Sequence, residues 1–121
     1  MNNVRKEKDL LGIVEFDKNC LHGIATERAL RCSSIGAQKV PTDLIKSLGL
    51  VKYACAQANE KLGLLESRKA QLIQQAALEI YQGLWQNAFP MEIFQTGGCT
   101  PTNMNVNEVI KNLAERSDPS I

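Results

Sequence analysis

Hydrophobic spacing predicts a mainly α-helical domain with a short extended arm at its N-terminus. Three observations carry that reading. Residues 42–62 and 66–84 each repeat apolar side chains at intervals of three and four, the signature of one helical face. The link between them, Gly63-Leu64-Leu65, is short and implies an antiparallel helical hairpin. Residues 5–24 instead show partial alternation broken by turn formers, which suits short strands or an extended arm.

The arm comes first. Leu11, Ile13, Val14 and Phe16 alternate in part, and Asp17-Lys18-Asn19 and Gly23 supply turns. Thr26 to Cys32 is sufficient for one or two helical turns before Ser33-Ser34-Ile35-Gly36 breaks them. In the first long helix Leu44, Ile45, Leu48, Val51, Cys55, Ala58 and Leu62 form the face expected to pack inward. Pro41 and Thr42 mark its start and Gly63 its C′ stop, and its length would be roughly 30 Å. The second begins near Glu66 and presents Leu72, Ile73, Ala76, Ala77, Ile80, Tyr81 and Leu84. Small residues along both (Ala54, Ala58, Ala70, Ala76, Ala77) would permit close axial approach. Phe89-Pro90 disfavours helix at residue 89. A last amphipathic stretch carries Val106, Val109, Ile110 and Leu113, and residues 116–121 are expected to fray.

Composition bounds the function. A chain of 121 residues with 44% hydrophobic and 22% charged residues forms one domain with one core, burying roughly two-thirds of its unfolded surface. Fourteen Lys and Arg against thirteen Asp and Glu give +1, so no basic excess points to nucleic acid or anionic lipid. No apolar run is long enough to span a membrane. Asn2, Asn3, Arg5, Lys6, Glu7, Lys8 and Asp9 leave no room for a secretory h-region, so the cytoplasm is the expected compartment. Cys20, Cys32, Cys55 and Cys99 contain no CxxC pair, and the single histidine, His22, follows Cys20 too closely for common zinc spacings. Four free thiols are expected.

The polar cluster from Thr96 to Asn107 is where chemistry is expected. Gly97 and Gly98 allow a tight turn with close backbone approach to a ligand. Pro101 suits the first helical position, which makes Thr100 the candidate N-cap, its hydroxyl accepting from a nearby N–H. A glycine turn running into a helix N-terminus suits an anion, because free N–H groups and the positive dipole end coincide. Asn103, Asn105 and Asn107 add amide donors. The alternative is simply a capped helix with a tight entry. No GK[ST] follows and no GxGxxG is present, so nucleotide binding has no support. His22 reads as a surface or hydrogen-bonded loop histidine. Cys99 lies near the helix N-terminus, which would lower its pKa, but no histidine lies nearby in sequence to serve as its base.

At this loop the sequence meets a resemblance. Phe89 to Gly97, then Thr100, Asn103-Met104-Asn105 and Asn107-Glu108-Val109-Ile110, resemble the class II fumarase and aspartate ammonia-lyase superfamily. Glu7-Lys8-Asp9 with Gly12 is similar to its opening. Leu21 to Gly23 with Thr26, Arg28 and Ala29 is similar to its next signature, and Leu44 to Leu65 to its first long helical hairpin.

The resemblance implies a lyase N-terminal domain at residues 1–115, from a homotetrameric enzyme of the tricarboxylic acid cycle. Its fumarase branch reversibly adds water to fumarate to give malate, without metal or organic cofactor. Gly98, Cys99, Thr100 and Asn103 would then be substrate-binding, forming part of a carboxylate-binding surface, and no catalytic residue is assigned within this chain. The family's catalytic histidine, mobile serine loop, central helical bundle and C-terminal domain lie beyond the region the chain covers, so the chain alone is expected to be inactive. One departure stands out. The family places a small residue and then glycine before the threonine, whereas this chain has Gly98 and Cys99. A positive φ there would cost a β-carbon roughly 1 kcal/mol. The alternatives are an aspartate ammonia-lyase portion, from which Thr96 departs, or a truncated non-catalytic relative acting as a binding module. Full-length relatives would be homo-oligomers, and self-association of this chain is possible.

Overall fold

A computed structural model describes residues 3–32 and 35–121. In chain order they form strands β1 (Val4–Asp9) and β2 (Gly12–Asp17), helices α1 (Ile24–Cys32), α2 (Thr42–Lys61) and α3 (Ser67–Tyr81), a 3-10 turn at Gln86–Ala88, and helix α4 (Thr100–Ser117). Helix α3 packs between α2 and α4, and α1 lies against α4 beside the strands. The sequence-predicted break at Ser33–Ser34 lies outside the described residues. No helix among those described is long and apolar enough to cross a membrane.

The arm is an antiparallel hairpin in which Val4 faces Asp17 and Asp9 faces Gly12. Both strands alternate, but only β2 buries side chains fully: Val14 and Phe16 are buried while Ile13 points outward. Leu10 and Leu11 form the exposed turn, closed by the Leu11 N–H donating to Asp9 Oδ1 at 2.8 Å. Arg28 of α1 grips the same carboxylate with two bonds of 2.7 Å. These hydrogen bonds hold Asp9 below the usual aspartate range.

The helical hairpin forms as the spacing predicts, but a different face of α2 is buried. Ile45, Gly49 and Ala56 face inward, whereas Leu44, Val51, Cys55, Ala58 and Leu62 are exposed. Gly49 sets this orientation. A β-carbon there would sit 3.0 Å from the Ala77 carbonyl oxygen and 3.1 Å from Ile80, so the α2 backbone lies directly on α3. Small residues do fill the contact, but they are Ala70, Ala76 and Ala77 of α3 with Ala56 of α2; Ala54 and Ala58 face solvent. Helix α3 also stops at Tyr81 rather than near residue 84, leaving Tyr81 and Leu84 exposed.

Beyond α3, Phe89 and Met91 are buried. The segment after them pairs with residues 38–40 through Val40 N–H to the Met91 carbonyl and Ile93 N–H to the Gln38 carbonyl, both 3.0 Å. Helix α4 then supplies the apolar ridge Val106, Val109, Ile110 and Leu113 to the core.

Beside that ridge runs a polar one. Asn105, Glu108 and Asn112 recur at three and four residues along α4, and each reaches a distant backbone. Asn105 Nδ2 donates to the Ala88 carbonyl at 3.0 Å, and Asn112 Nδ2 to the Leu21 carbonyl at 2.6 Å. Glu108 accepts the N–H groups of Gly23, Ala25 and Thr26 at 3.0, 2.8 and 3.1 Å, and the Thr26 hydroxyl at 2.6 Å. One carboxylate thus satisfies the N-terminal donors of α1 and meets the positive end of its dipole. Gly23 leaves room for this contact, because a β-carbon would come within 2.7 Å of Glu108 Oε1 and the carboxylate would have to shift.

Contacts at the C-terminal end involve Asp118 and Ser120. Helix α4 continues through Ser117, and Asp118 is buried, bonded by Arg68 Nε at 2.6 Å and by the Ser120 hydroxyl and N–H at 2.6 and 3.0 Å. The Ser120 bonds first, then Arg68, lower the Asp118 pKa from 3.8 to about 2.

Two outcomes follow from these contacts. Replacing Glu108 by Ala leaves four donors without their acceptor and should cost about 3 kcal/mol in urea unfolding. Amide exchange at Gly23, Ala25 and Thr26 should accelerate more than at Ala76 or Ala77; equal acceleration everywhere would show that the contact is not local. The depressed Asp118 pKa means that folding favours the ionised group. Its stabilisation is complete above 3.8 and is lost as pH falls toward 2. Asp118→Asn should remove that part of the acid transition, and an unchanged acid profile in the variant would refute the assignment.

Candidate functional site

The loop before α4 is built from three consecutive left-handed residues: Gly97 at φ 68°, Gly98 at 57° and Cys99 at 70°. Two of them are glycines, for which this conformation is open. Cys99 adopts it with a β-carbon, at a cost of roughly 1 kcal/mol. Cys99, Gly98, Thr100 and Asn103 line one concavity of about 400 Å3, and its opposite wall is Leu44 and Leu48 of α2. All four sequence-predicted site residues therefore meet in one place. The loop itself, residues 96–100, is exposed, while Asn103 is half-buried.

Three details differ from the expectation. Helix α4 begins at Thr100, so Cys99 is the N-cap residue and Pro101 sits one position further in. The Thr100 hydroxyl does not accept from the helix; it donates to the Gly97 carbonyl at 2.6 Å, closing the turn. The acceptor at the helix start is Gln95, whose Oε1 takes the Thr102 N–H at 3.0 Å and its hydroxyl at 2.8 Å.

These contacts change the inventory of donors at the site. The Thr100 N–H goes to the Gly97 carbonyl, the Thr102 N–H to Gln95 and the Asn103 N–H to the Cys99 carbonyl, and Pro101 has none. A ligand in the concavity therefore meets the Asn103 side chain, the Thr100 hydroxyl and the loop backbone at Gly98 and Cys99, under the positive end of the helix dipole. No charged side chain lines it.

The other asparagines are elsewhere. Asn105 is buried on the Ala88 carbonyl, and Asn107 lines a separate hollow with Lys52 and Ile73. His22 is buried rather than at the surface. Its ring stacks on Phe16 at 5.8 Å, and Nε2 lies 3.2 Å from Glu27 Oε2. Cys20 is partly buried, and Cys32, Cys55 and Cys99 are exposed. Among the described residues, no three His, Cys, Asp or Glu side chains converge as a metal site would need.

Sequence reading missed Gln95, Leu44 and Leu48 at this site. Leu44 and Leu48 are marked by their α2 periodicity, which points to packing rather than to the loop. Gln95 reaches Thr102 seven residues on, a span that no local capping rule covers.

Comparison with known proteins now places the chain. A sequence profile described as Lyase matches residues 14–120. The chain is 46% identical over 110 residues to the class II fumarate hydratase of Wigglesworthia glossinidia brevipalpis, which covers 91% of this chain and 24% of that protein. It is also 46% identical over 112 residues to the enzyme of that name from Thermosynechococcus vestitus, covering 93% and 24%. Among solved structures, a class II fumarase from Schistosoma mansoni superposes with a TM-score of 0.92 at 33% identity, covering 98% of this chain and 25% of that one. A fumarate lyase:delta crystallin from Brucella melitensis gives 0.91 at 36%, covering 94% and 27%. The chain thus spans about a quarter of the length of the relatives it matches. On the extent of the profile match and the shared fold, it belongs to the fumarase-type lyase family.

Proposed function

We propose that this chain is the N-terminal portion, residues 1–115, of a lyase that reversibly adds water to fumarate to give malate, and that it contributes a carboxylate-binding loop. One observation carries the reading. In a chain 46% identical to a fumarate hydratase, Gly98, Cys99, Thr100 and Asn103 line a single concavity at the N-terminus of α4. Hydration of fumarate passes through a carbanion beside a carboxylate whose charge spreads onto the carboxylate oxygens. Fixed donors and a helix dipole stabilise such charge without reorganising. The lining offers one titratable group, the Cys99 thiol, and no His, Asp, Glu, Lys or Tyr beside it, so the chain alone is proposed to be inactive and the loop to bind and orient.

The assembly part of the proposal rests on the outward face of α2. Val51, Leu62 and the adjoining Leu64 are 53%, 71% and 75% exposed, which gives self-association an apolar surface. Full-length relatives are proposed to be homo-oligomers. Sedimentation velocity should show species larger than the monomer as concentration rises; a monomer throughout would count against this part. The cytoplasm is the proposed compartment, in keeping with four free thiols.

Chemical-shift titration with fumarate and malate tests the binding role. Perturbations should centre on residues 96–103, with a dissociation constant around millimolar, while the fumarate absorbance stays constant. Thr100→Ala should weaken binding by freeing the Gly97 carbonyl and loosening the turn. Cys99→Gly should bind equally or better, and it should be more stable by up to about 1 kcal/mol because the left-handed residue loses its β-carbon. Shifts confined to regions far from this loop, or none at tens of millimolar, would favour a capped turn without a ligand.

A further inference from the structure

The loop from Thr96 to Thr100 is exposed throughout, so packing does not hold its three left-handed residues in place. Its conformation has to be set at its ends. One end is the Gln95 side chain, and both the oxygen and the nitrogen of that carboxamide are engaged. Oε1 accepts the Thr102 N–H at 3.0 Å and the Thr102 hydroxyl at 2.8 Å, and Nε2 donates to the Glu92 carbonyl at 2.6 Å. Thr102 is wholly buried. Glu92 is itself fixed, bridged to Lys39 and accepting the Gly36 N–H on Oε2 at 2.8 Å. Gln95 therefore ties the anchored 91–93 segment to the first turn of α4, and residues 96–101 form a closed ring between its two attachment points.

We infer that Gln95 is the positioning residue of the carboxylate-binding loop, holding the Gly97–Cys99 turn in the shape that presents it to a ligand. This rests on the carboxylate reading above. The physical argument has two parts. An N-cap side chain ordinarily supplies the acceptor for the first-turn amides, but Cys99 at the N-cap makes no such bond. Gln95 supplies it from outside the ring, so the acceptor at the helix start and the closure of the loop are one contact. Gln95 also occupies the Thr102 amide, so a carboxylate is directed away from the helix end and toward Gly98, Cys99, Thr100 and Asn103. Without that hold the ring loses a constraint, and Cys99 has reason to leave a conformation that its β-carbon disfavours.

The experiment pairs amide exchange with fumarate titration on the full chain. In Gln95→Ala the Thr102 amide should exchange at least about tenfold faster, since its acceptor is gone, while Val109 in mid-helix stays unchanged. The fumarate dissociation constant should rise about fivefold to tenfold. Gln95→Glu keeps the acceptor pair and should restore Thr102 protection. Thr102→Val removes only the hydroxyl bond and should give a smaller loss of affinity; it serves as the test if Gln95→Ala does not fold. Unchanged Thr102 protection in Gln95→Ala overturns the inference. So does a loss of protection with binding equal to or tighter than wild type, which would mean that the ligand takes the vacated amide. If wild type does not titrate at all while Thr102 protection still depends on Gln95, the carboxylate reading fails and the positioning role falls with it.

Discussion

The Glu108 carboxylate joins elements that are distant in sequence, and the placement of the N-terminal third on the helices depends on that junction. It sits on α4 and accepts three backbone N–H groups and one hydroxyl from residues 23–26. Those donors open α1, a helix of nine residues that is too short to be stable alone. The hairpin depends on α1 in turn, through Arg28 on Asp9 and through Glu7 Oε2, which accepts the Ile24 N–H at 2.9 Å. Arg5 extends the same web. It donates to the Cys20 and His22 carbonyls at 3.2 and 2.6 Å while its guanidinium lies 4.7 Å from the Phe16 ring centroid. A two-stranded hairpin is marginal by itself, so the N-terminal third is held mainly by side chains rather than by its own ladder.

Helix α4 therefore has two lateral functions and one terminal one. Its apolar ridge joins the α2–α3 hairpin, and its polar ridge of Asn105, Glu108 and Asn112 fixes two stretches, residues 21–26 and the turn ending at Ala88. Charge-assisted bonds to backbone amides are directional in a way that apolar contact is not. This division leaves the N-terminus of α4 free to line the concavity with Leu44 and Leu48. Its position is fixed from both sides by contacts made further along the same helix.

Much of this was readable from the sequence, and the misses have physical causes. The helical hairpin, its Gly63 stop and the amphipathic last helix follow from local periodicity, and α2 and α3 form within a few residues of the expected bounds. The buried face of α2 does not follow, because leucine spacing identifies an apolar stripe and not what covers it. Gly49 decided the matter through a backbone contact with Ala77, and a glycine gives no signal in a hydrophobic pattern. At the site, the left-handed cost at Cys99 was raised only by the departure from the family pattern, while the Gly-Gly turn and a helix beginning within a residue of Pro101 were legible as local chemistry. Glu108 reaching residues 82 to 85 positions away, and Gln95 reaching across the loop, were not, since each pairs groups that only the tertiary fold brings together. The Asn105, Glu108, Asn112 spacing was the available clue: polar side chains beside an apolar ridge need partners when buried.

The donors at α4 also define what this domain contributes to chemistry. The first-turn amides that a bare helix would offer to an anion are already satisfied by Gly97, Gln95 and Cys99 oxygens, so the dipole is retained while the head-on site is closed. What remains is lateral: the Asn103 amide, a hydroxyl committed to shaping the turn, and loop backbone in a left-handed run. Such a surface suits the proposed role of weak binding with defined orientation, because its groups are hydrogen-bonded in place before a ligand arrives. Facing them are two leucines, which leave the wall opposite the donors without charge. The dicarboxylate proposed as substrate would need compensation for both of its carboxylates, and this lining holds no cationic side chain to supply it. On the proposed reading the arrangement fits one wall of a larger site, to which other groups would have to bring further affinity and the proton transfer.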